Sequence, residues 1–316
     1  MKYRRLGRSG TRVSEVILGS WLTFGSSVDE AATARCVRAA LEAGIQSFDT
    51  ADVYAQGAAE VALGKALAGV PRKDVVLMTK AFWPTGPGPN DRGLSRKHVL
   101  ESLEASLRRL GTSYVDLFQC HRFDPEVPLE ETVRACEDAV RQGKALAWGV
   151  SVWTGAQVRE ALALARQSGG YGPVSNQPPY SLLERGIEAE VLPACRELGV
   201  GQVVFSPLAQ GVLTGKYAPG KVPEGSRGAD RERGRWMQGH LAAGTLERVQ
   251  RLAALARERG TTSARLALAW CLHQPGIDAV IVGATRPEQV QENAGACEVA
   301  WDEGLAQALE ALFRPD

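Results

Sequence analysis

The chain alternates between short apolar runs and longer segments with helical periodicity, and this alternation limits its fold more than any other feature. Eight apolar runs lie between Val16 and Val282, and each precedes a segment in which apolar residues recur every three or four positions. Such runs are typical of strands that are buried on both faces of a parallel sheet. The order of elements therefore predicts an α/β fold, an eight-stranded (β/α)8 or TIM barrel. A doubly wound open sheet is the alternative.

The two ends of the chain add elements to this predicted barrel. The run Gly7-Arg8-Ser9-Gly10 has the composition of a hairpin turn, which predicts an N-terminal β-hairpin before the first barrel strand. Helical patterns in the last third of the chain predict additional C-terminal helices. Because barrels of this kind reach 316 residues as one unit, we predict a single domain over residues 1–316.

Composition excludes several classes of function. The 37 basic and 36 acidic residues leave a net charge of +1, and the sequence contains no basic stripe that would bind nucleic acid. No apolar run is long enough to span a membrane, and the first residues do not resemble a signal peptide. We therefore predict a cytoplasmic protein that has neither a nucleic-acid nor a membrane partner.

The six cysteines are scattered, and they form neither a Cys-x-x-Cys motif nor a group with zinc-site spacing. No metal site is predicted, and most of the cysteines are expected to be buried free thiols. Cys120 precedes one of the polar strand ends described next, so a redox role for this thiol competes with a simple place in the core.

Four polar residues lie at or just after the ends of apolar runs. Asp49, Lys80 and His121 each end a run, and Tyr54 follows Asp49 closely. Because the carboxyl ends of parallel strands converge on one rim of a barrel, we expect these side chains to meet there. Taken singly, each residue also has a purely structural explanation, such as a helix cap or a solvated strand end.

Together, the phenol, ammonium, carboxylate and imidazole form a proton-transfer group. A tyrosine hydroxyl with its ordinary pKa near ~10 is a weak acid. We expect the Lys80 ammonium to lower the pKa of Tyr54, while Asp49 keeps that ammonium charged. A neutral His121 would donate a hydrogen bond to a substrate carbonyl. The group predicts a reaction in which a carbonyl oxygen gains a proton as a hydride reaches its carbon.

One long segment stands outside the strand and helix rhythm. Residues 216–244 are rich in Gly, Arg and Glu and contain few apolar residues. Loops of this length are uncommon unless they form lids or binding loops. A surface excursion without a binding role is the alternative.

Several longer motifs make the chain resemble the aldo-keto reductase superfamily, in particular its branch of potassium-channel β subunits and bacterial reductases. The matching motifs are FDTADVY at 48–54, GLSRKH at 93–98, PLEETV at 128–133, FSPLA at 205–209, GKY at 215–217 and GAT at 283–285. With Gln289, Glu292 and Asn293, which match as well, they extend from the strand that ends at Asp49 to the last helix, and the resemblance covers essentially the whole chain. It implies a TIM barrel and a nicotinamide-dependent reduction of carbonyl compounds.

The resemblance places the family's catalytic set on Asp49, Tyr54, Lys80 and His121. In the channel-subunit branch the fourth position is typically Asn, so His121 is like the residue of dedicated reductases. That branch also has Arg in the serine-containing motif after the fifth strand, where this chain has GVSVW at 149–153. The resemblance therefore implies that one positive group near the nicotinamide is missing.

The sequence contains neither a Gly-x-Gly-x-x-Gly fingerprint nor a complete P-loop, so a Rossmann dinucleotide site and a P-loop are both disfavoured. The resemblance implies instead that a nicotinamide cofactor lies extended across the mouth of the barrel. Phe205 would stack on the nicotinamide ring, and Ser151 with Gln177 would hold its carboxamide. The implied cofactor-binding positions are Ser20, Trp21, Asp49, Ser151, Gln177, Phe205, Ser206, Pro207, Leu208, Ala209, Thr214, Lys216, Arg227, Gly283, Thr285, Gln289, Glu292 and Asn293.

Two further groups of residues bear on the ligands. Lys216, Arg227 and Arg286 are candidates for binding the 2′-phosphate of NADPH, which favours NADPH over NADH. Aromatic residues after different strands are predicted to form the wall of a pocket for a small carbonyl substrate, together with catalytic residues. The predicted pocket residues are Trp21, Tyr54, Phe82, Trp83, His121 and Trp153. Core packing is the alternative for the aromatic ones.

Three functions remain open at this stage. The first is an NADPH-dependent carbonyl reductase, and the second is a nicotinamide-binding regulatory subunit with slow turnover. The third is a Schiff-base enzyme that uses Lys80 as its nucleophile, which would need a lowered lysine pKa that Asp49 opposes. The oligomeric state is open as well, with a homo-oligomer as one option.

Overall fold

A computed structural model of the chain describes residues 1–217, 222–224, 226–230 and 233–314, without the side chains of Arg227, Arg233 and Gln238. Eight parallel strands form a closed barrel, which confirms the predicted (β/α)8 architecture over the open sheet. The strands are β1 (Tyr3–Arg5), β2 (Arg12–Ser14), β3 (Val16–Gly19), β4 (Ser47–Asp49), β5 (Val76–Ala81), β6 (Val115–Cys120), β7 (Ala145–Val150), β8 (Ser175–Asn176), β9 (Gly201–Val204) and β10 (Ile277–Gly283). The barrel runs in chain order from β3 to β10, and β10 pairs with β3 to close it.

Helices surround the barrel, and one more follows its last strand–helix unit. Their bounds are α1 (Glu30–Glu42), α2 (Ala58–Ala66), α3 (Arg96–Leu110), α4 (Leu129–Arg141), α5 (Gly155–Gln167), α6 (Val191–Leu198), α7 (Ala243–Glu258), α8 (Ser263–His273), α9 (Pro287–Ala294) and α10 (Glu303–Phe313). The ends follow local chemistry: Ser95 caps α3 by accepting from the His98 N–H, and Gly111 ends it in the left-handed conformation. In the part of the chain that the structure describes, no helix is long and apolar enough to cross a membrane.

The barrel strands alternate between an inner and an outer apolar layer. Along β5, Met78 belongs to the small cluster inside the barrel, whereas Leu77 and Ala81 belong to the large cluster between the barrel and its helices. Because side chains along a strand point to opposite faces in turn, Lys80 shares the inner face with Met78, and Thr79 points outward. This alternation decides which polar groups reach the centre of the barrel.

The predicted N-terminal hairpin is present, and it closes the end of the barrel opposite the strand carboxyl ends. Strands β1 and β2 pair in antiparallel fashion, and Leu6 and Val13 are buried in the cluster inside the barrel. The Gly7 N–H donates to Asp278 Oδ2 at 2.8 Å. Gly7 has a φ of +54°, and a Cβ there would lie 2.5 Å from the Gly201 nitrogen at the start of β9. This close approach requires glycine.

Candidate active site

The four polar strand-end residues converge on the carboxyl rim of the barrel, as the sequence predicted from chain direction alone. Asp49 ends β4, Lys80 lies on β5 and His121 directly follows β6. Tyr54 begins the short 3-10 turn Tyr54–Gly57 that follows β4. The ladder continues past the strands, since the Asp52 N–H donates to the Lys80 carbonyl and the His121 N–H donates to that of Ala81. These backbone hydrogen bonds fix the segments that carry Tyr54, Lys80 and His121 relative to one another.

Lys80 is the centre of this group. Its ammonium is fully buried and donates to Asp49 Oδ1 at 2.6 Å, to the Thr50 carbonyl at 2.8 Å and to the Tyr54 hydroxyl at 3.3 Å. The second carboxylate oxygen of Asp49 accepts from Gln177 Nε2 at 2.9 Å. Both oxygens of Asp49 are thus occupied, and the carboxylate is held in one orientation beside the ammonium.

The turn that carries Tyr54 is strained. Ala55 and Gln56 have φ values of +48° and +54°, which non-glycine residues seldom adopt. Seven non-glycine residues of the described chain have positive φ, and all lie in segments that follow barrel strands; they are Leu22, Ala55, Gln56, Val152, Ser206, Ala209 and Gln210. Strain of this kind concentrates at functional sites, where surrounding contacts hold it in place. Its distribution marks the carboxyl rim as the functional end of the barrel.

The pKa of Tyr54 is raised, contrary to the expectation that Lys80 would lower it. Burial raises the pKa most, Lys80 lowers it, and Asp49 raises it again, so that the net direction is upward. Burial alone lowers the pKa of Lys80, but Asp49 and Tyr54 outweigh burial, and the pKa of Lys80 is also raised. The site therefore holds a protonated phenol next to a charged ammonium.

His121 completes the group and contacts the phenol of Tyr54. Its ring meets the Tyr54 ring edge-to-face at a centroid distance of 5.7 Å, and the Trp83 ring at 6.4 Å. Burial, Lys80 and Arg122 lower the pKa of His121 well below its ordinary value. The imidazole is accordingly neutral at pH 7 and can donate a hydrogen bond from one ring nitrogen, as expected from the sequence.

A cavity of about 1430 Å³ opens above this group. Most of the residues that the sequence assigned to cofactor binding line it: Trp21, Asp49, Ser151, Gln177, Phe205, Ser206, Pro207, Leu208, Ala209, Thr214, Lys216, Gly283, Thr285, Arg286, Gln289, Glu292 and Asn293. Tyr54, Trp83 and His121 line it as well. Residues from every part of the chain thus meet at one opening.

Several predicted residues lie elsewhere. Ser20 is buried beneath the rim, where its hydroxyl donates to Thr50 Oγ1 at 2.9 Å. Trp153 is 1% exposed and packs edge-to-face on Phe123, so the structure puts it in the core, which was the alternative weighed for it. Phe82 packs on Trp83 and is not among the residues that line the cavity. The side chain of Arg227 lies outside the described residues.

Ser151 and Gln177 lie side by side at the ends of β7 and β8. The Ser151 hydroxyl donates to the Gln177 carbonyl oxygen at 2.8 Å, while the Gln177 side-chain amide donates to Asp49. Both residues border the cavity. The pair that the resemblance assigned to one carboxamide is therefore adjacent, and it is linked to the carboxylate of the polar group.

The cationic residues at the far part of the cavity are exposed. Lys216 lies over the ring of Tyr217, with Nζ 5.2 Å from its centroid, and Arg286 approaches Glu288 at 3.7 Å in an exposed pair. Arg286 also immediately precedes α9, whose N-terminus favours anions. These groups are free to turn toward a phosphate, because exposed ion pairs of this kind contribute little.

The described parts of the long segment after β9 border the cavity, which favours a binding loop over a surface excursion. Pro223, Glu224, Ser226, Arg235, Trp236 and His240 all line the opening. Trp236 meets the ring of Trp21, which also lines the cavity, edge-to-face at 5.9 Å. Residues 218–221, 225, 231 and 232 of this segment lie outside the described part of the chain.

One residue of the site went unnoticed in the sequence. Arg122 lines the cavity beside His121, and its Nη1 atom donates to the His121 carbonyl at 2.5 Å and approaches Ser151 Oγ at 3.5 Å. Its guanidinium carbon lies 5.6 Å from the centre of the Trp83 ring. In the sequence, only its position directly after His121 pointed to Arg122. A solvated arginine at the same position would look identical in the sequence.

The remaining reactive side chains are not arranged for metal chemistry. Within the described ranges, no group of three or more His, Cys, Asp or Glu residues could hold a metal ion. All six cysteines are buried and free. Cys120 faces Cys136 with 3.6 Å between the two sulfurs, on the outer side of β6 and away from the cavity.

Comparisons with known proteins agree with this architecture. Residues 15–313 match the aldo/keto reductase family. A protein of Oryza sativa subsp. japonica named "Probable voltage-gated potassium channel subunit beta" is 45% identical over 302 residues, covering 95% of this chain and 92% of its own length. A protein of Arabidopsis thaliana with the same name is 43% identical, with the same shares covered. The closed barrel agrees with a family match that extends over nearly the whole chain. The chain belongs to the aldo/keto reductase family.

Proposed function

We propose that this chain is an NADPH-dependent reductase of aldehydes and ketones in which Tyr54 donates the proton. The family implies an oxidoreductase that uses a nicotinamide cofactor on carbonyl groups. The observation that carries the finer assignment is the Lys80 ammonium, which lies between Asp49 Oδ1 at 2.6 Å and the Tyr54 hydroxyl at 3.3 Å. Folding alone does not require this buried ion pair, because apolar residues in place of both Lys80 and Asp49 would fill the same space without a desolvation penalty.

The residues that line the cavity offer the groups that a nicotinamide cofactor requires. Its amide and hydroxyl groups at Ser151 and Gln177 match a carboxamide, Phe205 offers an aromatic face, and Lys216 with Arg286 offers cations for a phosphate. The cofactor would supply the hydride when bound. The two cations support NADPH over NADH, because a 2′-phosphate needs cationic donors.

The chain's own residues would orient the carbonyl and deliver the proton. The neutral His121 imidazole donates a hydrogen bond to the carbonyl oxygen and places it beside the Tyr54 hydroxyl. Tyr54 stays protonated at neutral pH, since the ordinary pKa of a phenol is near ~10 and the site raises it, so its proton is available when negative charge develops on the oxygen. Lys80 then stabilises the phenolate that remains, and Asp49 holds Lys80 in place.

The first test removes the proton donor. Tyr54→Phe is expected to lower kcat for a panel of aldehydes by roughly 10²–10⁴-fold, which is the usual contribution of a positioned general acid. NADPH binding, measured by cofactor fluorescence, should stay within about twofold of wild type, because the phenol is assigned to proton transfer rather than to holding the cofactor.

Tyr171→Phe is the matched control, since Tyr171 is 85% exposed and distant from the rim. Full turnover by the Tyr54→Phe variant would overturn the assignment. A parallel titration with NADH tests the cofactor preference, and equal affinities for NADH and NADPH would remove that part of the proposal.

A nicotinamide-binding regulatory subunit is the second candidate, and one finding favours it. The relatives from rice and Arabidopsis, at 45% and 43% identity, are named as potassium channel β subunits. His121 supports the reductase instead, because the resemblance gives Asn in the channel-subunit branch. Rapid mixing of the NADPH-loaded protein with aldehydes separates the two: a single slow oxidation without steady turnover would support the regulatory subunit.

The Schiff-base alternative has weaker support. It needs a lysine with a lowered pKa, whereas the pKa of Lys80 is raised by Asp49 and Tyr54 despite burial. A single domain over residues 1–316, a cytoplasmic location and the choice between monomer and homo-oligomer stay predictions from the sequence.

A further inference from the structure

Arg122 differs from most of the other half-buried arginines of the described chain. Arg4, Arg72, Arg109, Arg185 and Arg265 each pair with a carboxylate at 2.6 to 3.3 Å. No described carboxylate forms an ion pair with Arg122, whose contacts are a backbone carbonyl, a distant hydroxyl and an aromatic ring. Burying a charge without a counter-charge is unfavourable. An unpaired guanidinium in a ligand cavity therefore indicates an anion that arrives with the ligand.

The free donors of Arg122 matter for the choice of ligand. The two hydrogen bonds of its guanidinium both use Nη1, and no described residue accepts from Nε or Nη2. A planar guanidinium with a free edge matches the two oxygens of a carboxylate. Burial lowers the pKa of Arg122, and the Tyr54 phenol raises it, so the two groups interact electrostatically.

The neighbours of Arg122 identify the part of the cavity that it serves. It is bounded by His121, Trp83 and Ser151, and the first two belong to the predicted substrate pocket. The cations assigned to the cofactor phosphate, Lys216 and Arg286, come from the segments after β9 and β10 instead. Arg122 thus stands beside the groups that would orient a carbonyl and apart from the phosphate cations.

We propose that Arg122 is a specificity-determining residue that selects carbonyl substrates bearing a carboxylate. The guanidinium binds the carboxylate through its free edge while the carbonyl oxygen meets Tyr54 and His121. Trp83, over which the guanidinium lies, packs against the carbon skeleton between the two ends. This inference rests on the proposed reductase function and adds a substrate class to it.

The test compares two aldehydes that differ in one charge, 4-carboxybenzaldehyde and methyl 4-formylbenzoate. Wild type should prefer the acid in kcat/KM, and Arg122→Gln should lower the ratio of acid to ester by roughly ten- to a hundredfold, mainly through KM. Arg122→Lys, which keeps the charge but loses the fork, should retain part of the preference. Arg92→Gln, an exposed arginine in the segment after β5, is the charge-matched control.

Benzoate binding to the same proteins, measured by calorimetry, provides a readout that does not depend on turnover. Wild type should bind benzoate, and Arg122→Gln should lose this binding. An unchanged acid-to-ester ratio in Arg122→Gln would overturn the inference. If NADPH affinity falls in the same variant, Arg122 serves the cofactor instead of the substrate.

The failure of the proposed function gives a different result. If wild type reduces neither aldehyde, the reductase function is contradicted, and the benzoate measurement decides the anion site. Binding of benzoate that depends on Arg122 would then support the site, and its absence would overturn the inference as well.

Discussion

The inner and outer faces of β5 each carry a buried charged cluster, and the two clusters are built differently. The cavity cluster lies on the inner face and consists of Asp49, Tyr54, Lys80 and Gln177. The back cluster lies between β5 and helices α2 and α3 and consists of Asp52, Glu60, Thr79, Ser102 and Arg109. The first opens to the cavity, whereas the helices cover the second.

Two aspartates three positions apart show what this difference teaches. Asp49 accepts a hydrogen bond from the Lys80 ammonium at 2.6 Å. Asp52 instead accepts from the uncharged Ser102 hydroxyl at 2.6 Å, and the carboxylate of Glu60 is its charged neighbour. The pKa of Asp52 is raised to about 7, because burial and the neighbouring Glu60 raise it by more than the Ser102 hydrogen bond lowers it. The same residue type therefore becomes a fixed counter-ion on one face and a titrating group on the other.

Removing the cation of the cavity cluster should have the largest effect. Lys80→Met leaves the buried Asp49 carboxylate without its counter-charge, so the free energy of unfolding should fall by about 3–5 kcal/mol. Turnover should fall by roughly a hundredfold or more, because the Tyr54 phenolate loses its stabilising charge. Denaturant unfolding and steady-state kinetics measure the two effects.

The double variant Asp49→Asn/Lys80→Met is the control for this comparison. It removes both charges, and it should recover much of the stability without recovering turnover. Recovery of turnover in the double variant would show that the cavity cluster, like the back cluster, is only structural.

The corresponding change in the back cluster should affect stability alone. Arg109→Met leaves the fully buried Glu60 carboxylate without its cation, but Arg109 is partly exposed, so we expect a smaller loss of about 2–3 kcal/mol in the free energy of unfolding. The kcat of the folded variant should equal that of wild type. Arg108→Met, which changes the exposed neighbour on the same helix, is the matched control. A fall in kcat as large as the one in Lys80→Met would remove the distinction between the clusters.

The pH dependence of stability should report on Asp52. Because the pKa of this carboxyl is raised in the folded state, its contribution is present at low pH and is lost as pH rises through about 7. Relative to Asp52→Asn, the unfolding free energy of wild type should therefore fall by roughly 2 kcal/mol between about pH 5 and about pH 8. A difference between the two proteins that stays constant across this range would contradict the assignment.

Much of the fold was predictable from local pattern. The eight apolar runs, the hairpin at Gly7 to Gly10 and the cap at Ser95 depend on residues close in sequence, and the structure has all of them. The convergence of Asp49, Lys80 and His121 followed from chain direction, because parallel strands end on one rim. Most of the predicted cofactor positions also border one cavity.

The exceptions depend on contacts between distant residues. Trp153 was a candidate for the pocket, but its partner Phe123 and the packing around it hold it in the core. The pKa of Tyr54 was expected to fall, yet the burial that raises it comes from the whole rim. Gln177 was assigned to a ligand, and its amide also holds Asp49 across 128 positions of the chain.

By itself, the sequence determined the order of strands and helices, the direction of the strands and the polar residues at their ends. These follow from periodicity and chain direction, which are local properties. Only the tertiary structure decided which loop residues line the cavity, which of the two aspartates gains a cation, and that Arg122 forms no ion pair with a described carboxylate. These properties depend on burial and on the charges nearby, and both are set by residues far apart in the chain.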